Sequence, residues 1–199
     1  MASLFPVRAI VVPYRTNGKS RLPEAARGTL ALAMLGDVLA ACTAAAQTTV
    51  VTDDPAAEAL AGELGATLAP DPGDGQGAAV AAALASTDGP VLVVNADVPC
   101  AVPADLRALA AVAEAGALGV VEAADGTTNA LALPDAGLFA PLYGPGSAGR
   151  FCEHAREHGI DAVSAAIPNL ADDVDTVDDL ERVGSRAGPR TQAAIAALP

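Results

Sequence analysis

The run Val91-Leu92-Val93-Val94 carries no polar residue on either face of a would-be strand. A strand with one face in water alternates apolar and polar residues, whereas one covered by helices on both sides reads as a continuous apolar run. Comparable short runs occur at Arg8 to Val12, Thr48 to Thr52, Ala66 to Leu68, Leu118 to Glu122, Ala130 to Leu133 and Ala162 to Ala166. Between them lie longer Ala/Leu-rich stretches with helical periodicity: Thr29 to Ala46, Ala56 to Leu64, Gly77 to Ala85, Ala104 to Ala115, Ser147 to His158 and Val177 to Val183. Strands alternating with helices predict an α/β fold, a three-layer αβα sandwich with a mostly parallel, mixed central sheet. No linker-like stretch divides residues 1–199, so one domain is expected, with its core over residues 7–183 and a short tail over 184–199. The tail's apolar pattern, Ala193 to Leu198, either caps the domain or frays.

A hydrophobic fraction of 52% with 18% charged residues excludes a disordered chain, and Gly, Pro or Asp interrupts the apolar runs before they reach membrane-spanning length. The net charge of −13 argues against nucleic acid or an anionic membrane as partner, since both demand an extended basic face. Cys42, Cys100 and Cys152 are odd in number and widely spaced, which favours free thiols in a reducing cytoplasm. The first residues lack a basic stretch followed by an apolar one, so no export signal is expected.

Against this acidic background, 5 of the 11 basic residues fall within the first 27 positions, and the single lysine, Lys19, follows the first strand in Val12-Pro13-Tyr14-Arg15-Thr16-Asn17-Gly18-Lys19-Ser20-Arg21. Positive charge behind a strand's carboxyl end suits an anion, most naturally a polyphosphate, although a solvated basic loop would look the same.

Asp97 ends the strand 91–94 in Asn95-Ala96-Asp97-Val98-Pro99, and Asp175 lies in Asp172-Asp173-Val174-Asp175-Thr176 before a short acidic helix. Magnesium takes hard oxygens, typically one or two protein carboxylates with water and phosphate completing the octahedron, which two separated aspartates suit. The competing account makes Asp97 a turn or helix cap and the 172–175 run the negative charge expected at a helix N-terminus. Asp53 and Asp54 before Pro55 read as a strand-end turn and N-cap. Pro70 to Gly77 is too rich in Gly and Pro for regular structure and reads as a loop feeding a helix. Gly126-Thr127-Thr128-Asn129 and Tyr143-Gly144-Pro145-Gly146-Ser147 together offer hydroxyls and helix N-terminal amides to a phosphate or carboxylate. His154 and His158 share a helical face beside Cys152, but without a fourth suitable ligand nearby they read as surface residues. No phosphate-binding P-loop, Gly-x-Ser-x-Gly elbow or Gly-x-Gly-x-x-Gly fingerprint is present.

Taken in order, Val12-Pro13, Lys19-Ser20-Arg21-Leu22, Ala33-Met34 with Asp37-Val38-Leu39, Ala96-Asp97-Val98-Pro99, Thr128-Asn129-Ala130-Leu131, Gly144-Pro145-Gly146-Ser147 and Asp173-Val174-Asp175-Thr176 with Asp179-Leu180 resemble the CofC family of guanylyltransferases in coenzyme F-420 biosynthesis. The resemblance implies a Rossmann-like nucleotidyltransferase fold and transfer of GMP from GTP to a phosphorylated three-carbon acid, with release of pyrophosphate; the motifs do not separate phosphoenolpyruvate from 2-phospho-L-lactate, and the Ala-rich, Lys-poor composition, which resembles that of a chain from a GC-rich genome, favours phosphoenolpyruvate. It implies that Asp97 and Asp175 hold Mg2+, and that Lys19 and Arg21 contact the GTP phosphates. Pro13, Arg15, Gly75 and Gln76 would line the GTP site, and Thr128, Gly144 and Ser147 would hold the acceptor. A cytoplasmic monomer or homodimer is expected, without nucleic acid or membrane. The chain departs from the family pattern at Arg15, where a lysine is usual, at Gly75-Gln76-Gly77 in place of Gly-Leu-Asn, and at Ala148 in place of an aromatic residue. Two other readings remain: a related molybdopterin or sugar-phosphate nucleotidyltransferase, and a nucleotide-binding protein without catalysis.

Overall fold

The structure, a computed structural model, describes residues 7–15, 22 and 24–198. The proposed phosphate ligands Lys19 and Arg21 lie outside the described residues.

The first half of the chain repeats strand and helix: β1 (Ala9–Pro13), α1 (Glu24–Thr43), β2 (Thr48–Thr52), α2 (Pro55–Glu63), β3 (Thr67–Pro70), α3 (Gln76–Leu84), β4 (Val91–Val94) and α4 (Pro103–Glu114). The second half runs β5 (Leu118–Glu122), β6 (Thr128–Leu133), α5 (Ser147–Glu157), β7 (Ala162–Ser164), α6 (Pro168–Ala171), α7 (Val177–Val183) and α8 (Pro189–Ala196). The strands form one seven-stranded sheet in the order β3-β2-β1-β4-β6-β5-β7. β6 runs antiparallel to both its neighbours, and the other pairings are parallel. After β3 the chain crosses to the far side of β1 to lay down β4. That reversal of strand order leaves a crevice at the carboxyl ends of β1 and β4, the usual ligand position in an open α/β sheet.

Strand residues divide by parity, as the pleat requires. Ile10, Val12, Leu92, Val94, Ala130 and Ala132 pack with α1, α2 and α4 on one face. Val11, Val91, Val93, Leu131 and Leu133 pack with α3 and α5 on the other. The expected three-layer αβα architecture with a mixed sheet follows.

α1 is apolar on more than one side because it has two neighbours. Leu35, Val38 and Leu39 face the sheet, while Leu30 and Met34 join Leu180, Val183 and Ala194 of α7 and α8 in a separate cluster. The tail therefore caps the domain. Asp37, buried inside α1, accepts hydrogen bonds from the backbone amides of Arg190 (3.1 Å) and Thr191 (2.8 Å) at the start of α8. A carboxylate from another helix thus does the work of an N-cap, since Gly188 at the cap position has no side chain to offer.

Several boundaries differ from expectation for local reasons. α1 starts at Glu24 rather than Thr29, running through Gly28, where nothing lies within 4 Å of a Cβ position. Ala66 belongs to the turn that closes α2, its amide bonded back to the Ala61 carbonyl, so β3 begins at Thr67. β7 ends at Ser164 because the chain turns there into α6, which Pro168 initiates. Asp54 caps α2 as expected, accepting from the amides of Ala56 (2.8 Å) and Ala57 (3.2 Å).

Candidate active site

A cleft of about 300 Å3 opens at the β1–β4 crevice, lined by Pro13, Tyr14 and Arg15 beyond β1, by Asn95, Ala96 and Asp97 beyond β4, and by Asp71, Gln76 and Asp175. Four segments distant in sequence meet there because each follows a strand carboxyl end or, for Asp175, is tied to one. The tie is a backbone hydrogen bond from Val174 N–H to the Asp97 carbonyl at 3.0 Å. With Val174 anchored in the core, Asp173 and Asp175 fall on its opposite side, as residues two apart in a non-helical segment do.

Asp97, Asp173 and Asp175 consequently bring one carboxylate oxygen each to within 4.8 Å of one another. Two like charges at that spacing repel by about 3.5 kcal/mol at an effective dielectric near 20, so such a cluster is poised for a cation. Three hard, anionic oxygen donors fit a magnesium-type ion and offer nothing to a soft one. The cap reading of Asp175 gives way to a neighbour. Thr176 and Asp179 form the capping box of α7, with the Asp179 carboxylate accepting from the amides of Thr176 (2.8 Å) and Asp175 (3.1 Å). Burial raises the Asp179 pKa, but hydrogen bonds from Arg182, Thr176 and those amides outweigh it and bring the group down to about 2. Asp172 is turned toward Arg182 and Arg186. Of the three aspartates in 172–179 outside the cluster, Asp172 and Asp179 therefore build the scaffold that presents Asp173 and Asp175.

Arg15 lies at the cleft but makes a two-pronged ion pair with Asp71 beyond β3, at 2.5 and 2.6 Å. The Asp71 hydrogen bond raises the guanidinium pKa despite some desolvation, and the same bond lowers that of Asp71 against the effect of its burial. Asp71 also accepts from the Gly73 amide at 2.9 Å and so shapes the Pro70 to Gly77 loop. Gly75 is the N-cap of α3, and Gln76 opens that helix with its side chain donating to Asn95 Oδ1 at 2.7 Å. The third residue of the loop has a steric role: a Cβ on Gly77 would come within 2.6 Å of Pro141 Cβ. The loop that follows β6 packs directly on the start of α3 there, and only glycine permits the approach.

The third constellation assembles as its sequence pairing suggests. Thr128 opens β6, Ser147 opens α5, and their buried hydroxyls are 2.8 Å apart. The Ser147 amide bonds to the Gly144 carbonyl at 3.0 Å, and Arg150 clamps the preceding turn through the carbonyls of Leu142, Tyr143 and Pro145. This group joins the cleft through Asn95, whose side-chain nitrogen donates to the Thr128 carbonyl at 3.1 Å.

The remaining candidates stay structural. His154 Nε2 is 3.0 Å from the Leu138 carbonyl and His158 Nδ1 is 2.8 Å from the His154 carbonyl. All three cysteines are free thiols, and burial pushes Cys42 up to about 12 and raises Cys100 and Cys152, so none is an activated nucleophile. Sequence reasoning left Asp173, Asp71, Asn95 and Asn129 without roles. The i, i+2 spacing of Asp173 and Asp175 around an apolar residue was a usable signal for the first; the others depend on contacts across 33 to 56 positions of chain.

Strand order, crevice and carboxylate cluster fit a nucleotidyltransferase, and the sequence places the chain in that class. Residues 26–143 match the MobA-like NTP transferase domain. The fold is shared with a nucleotidyl transferase from Methanothermobacter thermautotroptrophicus, at a TM-score of 0.68 and 21% identity over 90% of this chain and 96% of that one. Over its length the chain is 39% identical to the phosphoenolpyruvate guanylyltransferase of Streptomyces scabiei, covering 95% of this chain and 96% of the relative. It is 38% identical to the phosphoenolpyruvate guanylyltransferase of Thermomonospora curvata, covering 96% and 90%. The chain belongs to this guanylyltransferase family.

Proposed function

We propose that the protein transfers GMP from GTP to the phosphate of phosphoenolpyruvate, in preference to 2-phospho-L-lactate, as a Mg2+-dependent step of coenzyme F-420 biosynthesis. The observation that carries the reading is the Asp97, Asp173 and Asp175 carboxylate cluster at the β1–β4 crevice, to which Asn95 ties the buried Thr128–Ser147 hydroxyl pair through the Thr128 carbonyl. The relatives named as phosphoenolpyruvate guanylyltransferases support the choice of nucleotide and acceptor.

In the reaction an acceptor phosphate oxygen attacks the α-phosphorus of GTP, a new P–O–P bond forms, and the bond to the β-phosphate breaks with its electron pair leaving on pyrophosphate. The acceptor is already an anion, so no side chain has to remove a proton. The obstacle is repulsion, about 3 kcal/mol for each pair of unit charges 5 Å apart at an effective dielectric of 20. Mg2+ held by Asp97, Asp173 and Asp175 would supply the positive charge that offsets it. The chain's own groups supply alignment, which is worth several kcal/mol when reacting atoms are held near contact. Gly75 and Gln76, at the N-terminus of α3, would offer backbone amides to the nucleotide. Thr128 and Ser147, with the amides after Gly144, orient the acceptor phosphate from the opposite wall. Lys19 and Arg21 are assigned to the GTP phosphates from the sequence resemblance. The Arg15–Asp71 pair, made through Nε and Nη2, borders the nucleotide side.

The test is Mg2+-dependent pyrophosphate release from GTP or ATP, with phosphoenolpyruvate, 2-phospho-L-lactate or no acceptor. Release with GTP and phosphoenolpyruvate alone is the expected result. Release with 2-phospho-L-lactate instead would reassign the acceptor, and silence from folded protein in all mixtures would refute the reading.

A further inference from the structure

Asn129 is the second residue of β6 and is buried, 2% exposed. Its carboxamide nitrogen donates twice into the segment that carries the carboxylates, to the Ala171 carbonyl at 3.1 Å and to Asp173 Oδ1 at 3.2 Å. Both partners are acceptors, which fixes the nitrogen rather than the oxygen toward them. On the main chain, the Asn129 carbonyl accepts from the Asn95 amide at 2.9 Å, so the residue is locked to the end of β4 two positions before Asp97. Every other β6 residue from Ala130 to Leu133 is apolar and packs in the core. A polar amide at this one buried position of the strand does nothing for the sheet that an apolar side chain would not do as well.

We propose that Asn129 is a positioning residue that holds the Asp173 carboxylate in the cluster with Asp97 and Asp175, and thereby sets the affinity of the site for a hard divalent cation. A neutral amide is suited to this work because it directs a carboxylate by a hydrogen bond without adding a positive charge that would compete with the cation. Its second bond, to the Ala171 carbonyl, keeps the donor itself from turning away. The adjacent Asp172 has the contrasting environment: two guanidinium groups, from Arg182 and Arg186, hold it as part of the scaffold. The inference rests on the metal reading given above. Outer partners of metal ligands typically govern affinity by about 10- to 100-fold.

The experiment measures Mn2+ binding to nucleotide-free protein by electron paramagnetic resonance and calorimetry, for wild type, N129A, D173N and the double variant. N129A is expected to weaken Mn2+ binding about tenfold. The double variant should be no weaker than D173N by more than about twofold, because Asn129 acts through Asp173. In the pyrophosphate assay the N129A deficit should be relieved by raising Mg2+, a response that a merely structural role would not give. An N129A affinity within about twofold of wild type, or losses that multiply in the double variant, overturns the inference while leaving the metal reading intact. Wild type that binds no Mn2+ overturns both. N129S, with a smaller side chain and one remaining donor, repeats the test if N129A does not fold; failure of both to fold assigns Asn129 to the fold alone and refutes the proposal.

Discussion

Replacing Asp37 with alanine removes the side chain that accepts from two amides at the start of α8, and the sign of the result separates two accounts of this residue. Considered within α1 alone, an aspartate in mid-helix is a poor helix former, so D37A should stabilise the helix by about 0.5 kcal/mol. In the folded chain the carboxylate accepts from Arg190 N–H at 3.1 Å and Thr191 N–H at 2.8 Å, and both ends are buried or half-buried. Hydrogen bonds to a charged group contribute roughly 1.5–3 kcal/mol each, and they are not additive when they share one acceptor. Setting about 3.5 kcal/mol for the pair against 0.5 for helix propensity leaves a net loss of about 3 kcal/mol. For a chain of this size that lowers Tm by roughly 6–12 °C. D37N keeps one acceptor oxygen and should lose about half as much. G188A probes the same contact from the other side, since its Cβ would sit 2.3 Å from Asp37 Cγ and displace the carboxylate. Urea denaturation gives the free energy, and amide hydrogen exchange at Arg190 and Thr191 localises it. D37A stability equal to or above that of wild type, with protection at those amides unchanged, would refute the capping role.

Three further outcomes are expected. D97N should abolish pyrophosphate release with an unchanged circular dichroism spectrum, and near-normal turnover in the folded variant would sink the assignment of Asp97. G77N, which restores the residue usual in the resembling family, should raise the KM for nucleotide and lower Tm, because its Cβ collides with Pro141 Cβ at 2.6 Å; P141G, which removes that Cβ, should recover part of the loss, and the Tm and kinetics of G77N with and without P141G give the comparison. Asp179 titrates near 2 in the folded chain against about 3.9 when unfolded, so its contribution is complete above pH 4 and disappears as pH falls from 4 toward 2. The stability difference between wild type and D179N, followed by urea denaturation, should be flat from pH 7 to 5 and shrink by pH 2.5; a difference that persists undiminished would be inconsistent with the ionised carboxylate as its source.

How much of this was legible in the sequence depended on whether a feature was local. Strands such as Val91–Val94 announce themselves because burial on both faces leaves an unbroken apolar run, and Asp54-Pro55 announces a helix start by its own chemistry. Asp97 could be placed because a strand end fixes it. The start of α1 was misjudged because Gly28 weakens the pattern while tertiary packing carries the helix through it. The docking of α8 was undecidable since its cap comes from Asp37, 153 positions away from Arg190. Asp173, one of five aspartates in residues 172–179, could not be told from scaffold charge without knowing that Val174 is tied to Asp97 and that Arg182 and Arg186 claim Asp172. The Arg15–Asp71 pair has no local signature at either end.

The reversed direction of β6 has a consequence for how such an enzyme can diverge. In a fully parallel sheet, every group at the ligand edge arrives at the end of a strand and is carried on a crossover loop. Here one strand begins at that edge, and the turn before it, residues 123–127, is a short hairpin connection between β5 and β6. Thr128 and Asn129 are thus fastened to the ladder through the Asn95–Asn129 backbone bond, while the residues just ahead of them belong to a tight turn. Changes of length or composition in that turn would alter the acceptor wall without disturbing the strand ends on the nucleotide side, so the two halves of the cleft are free to evolve at different rates.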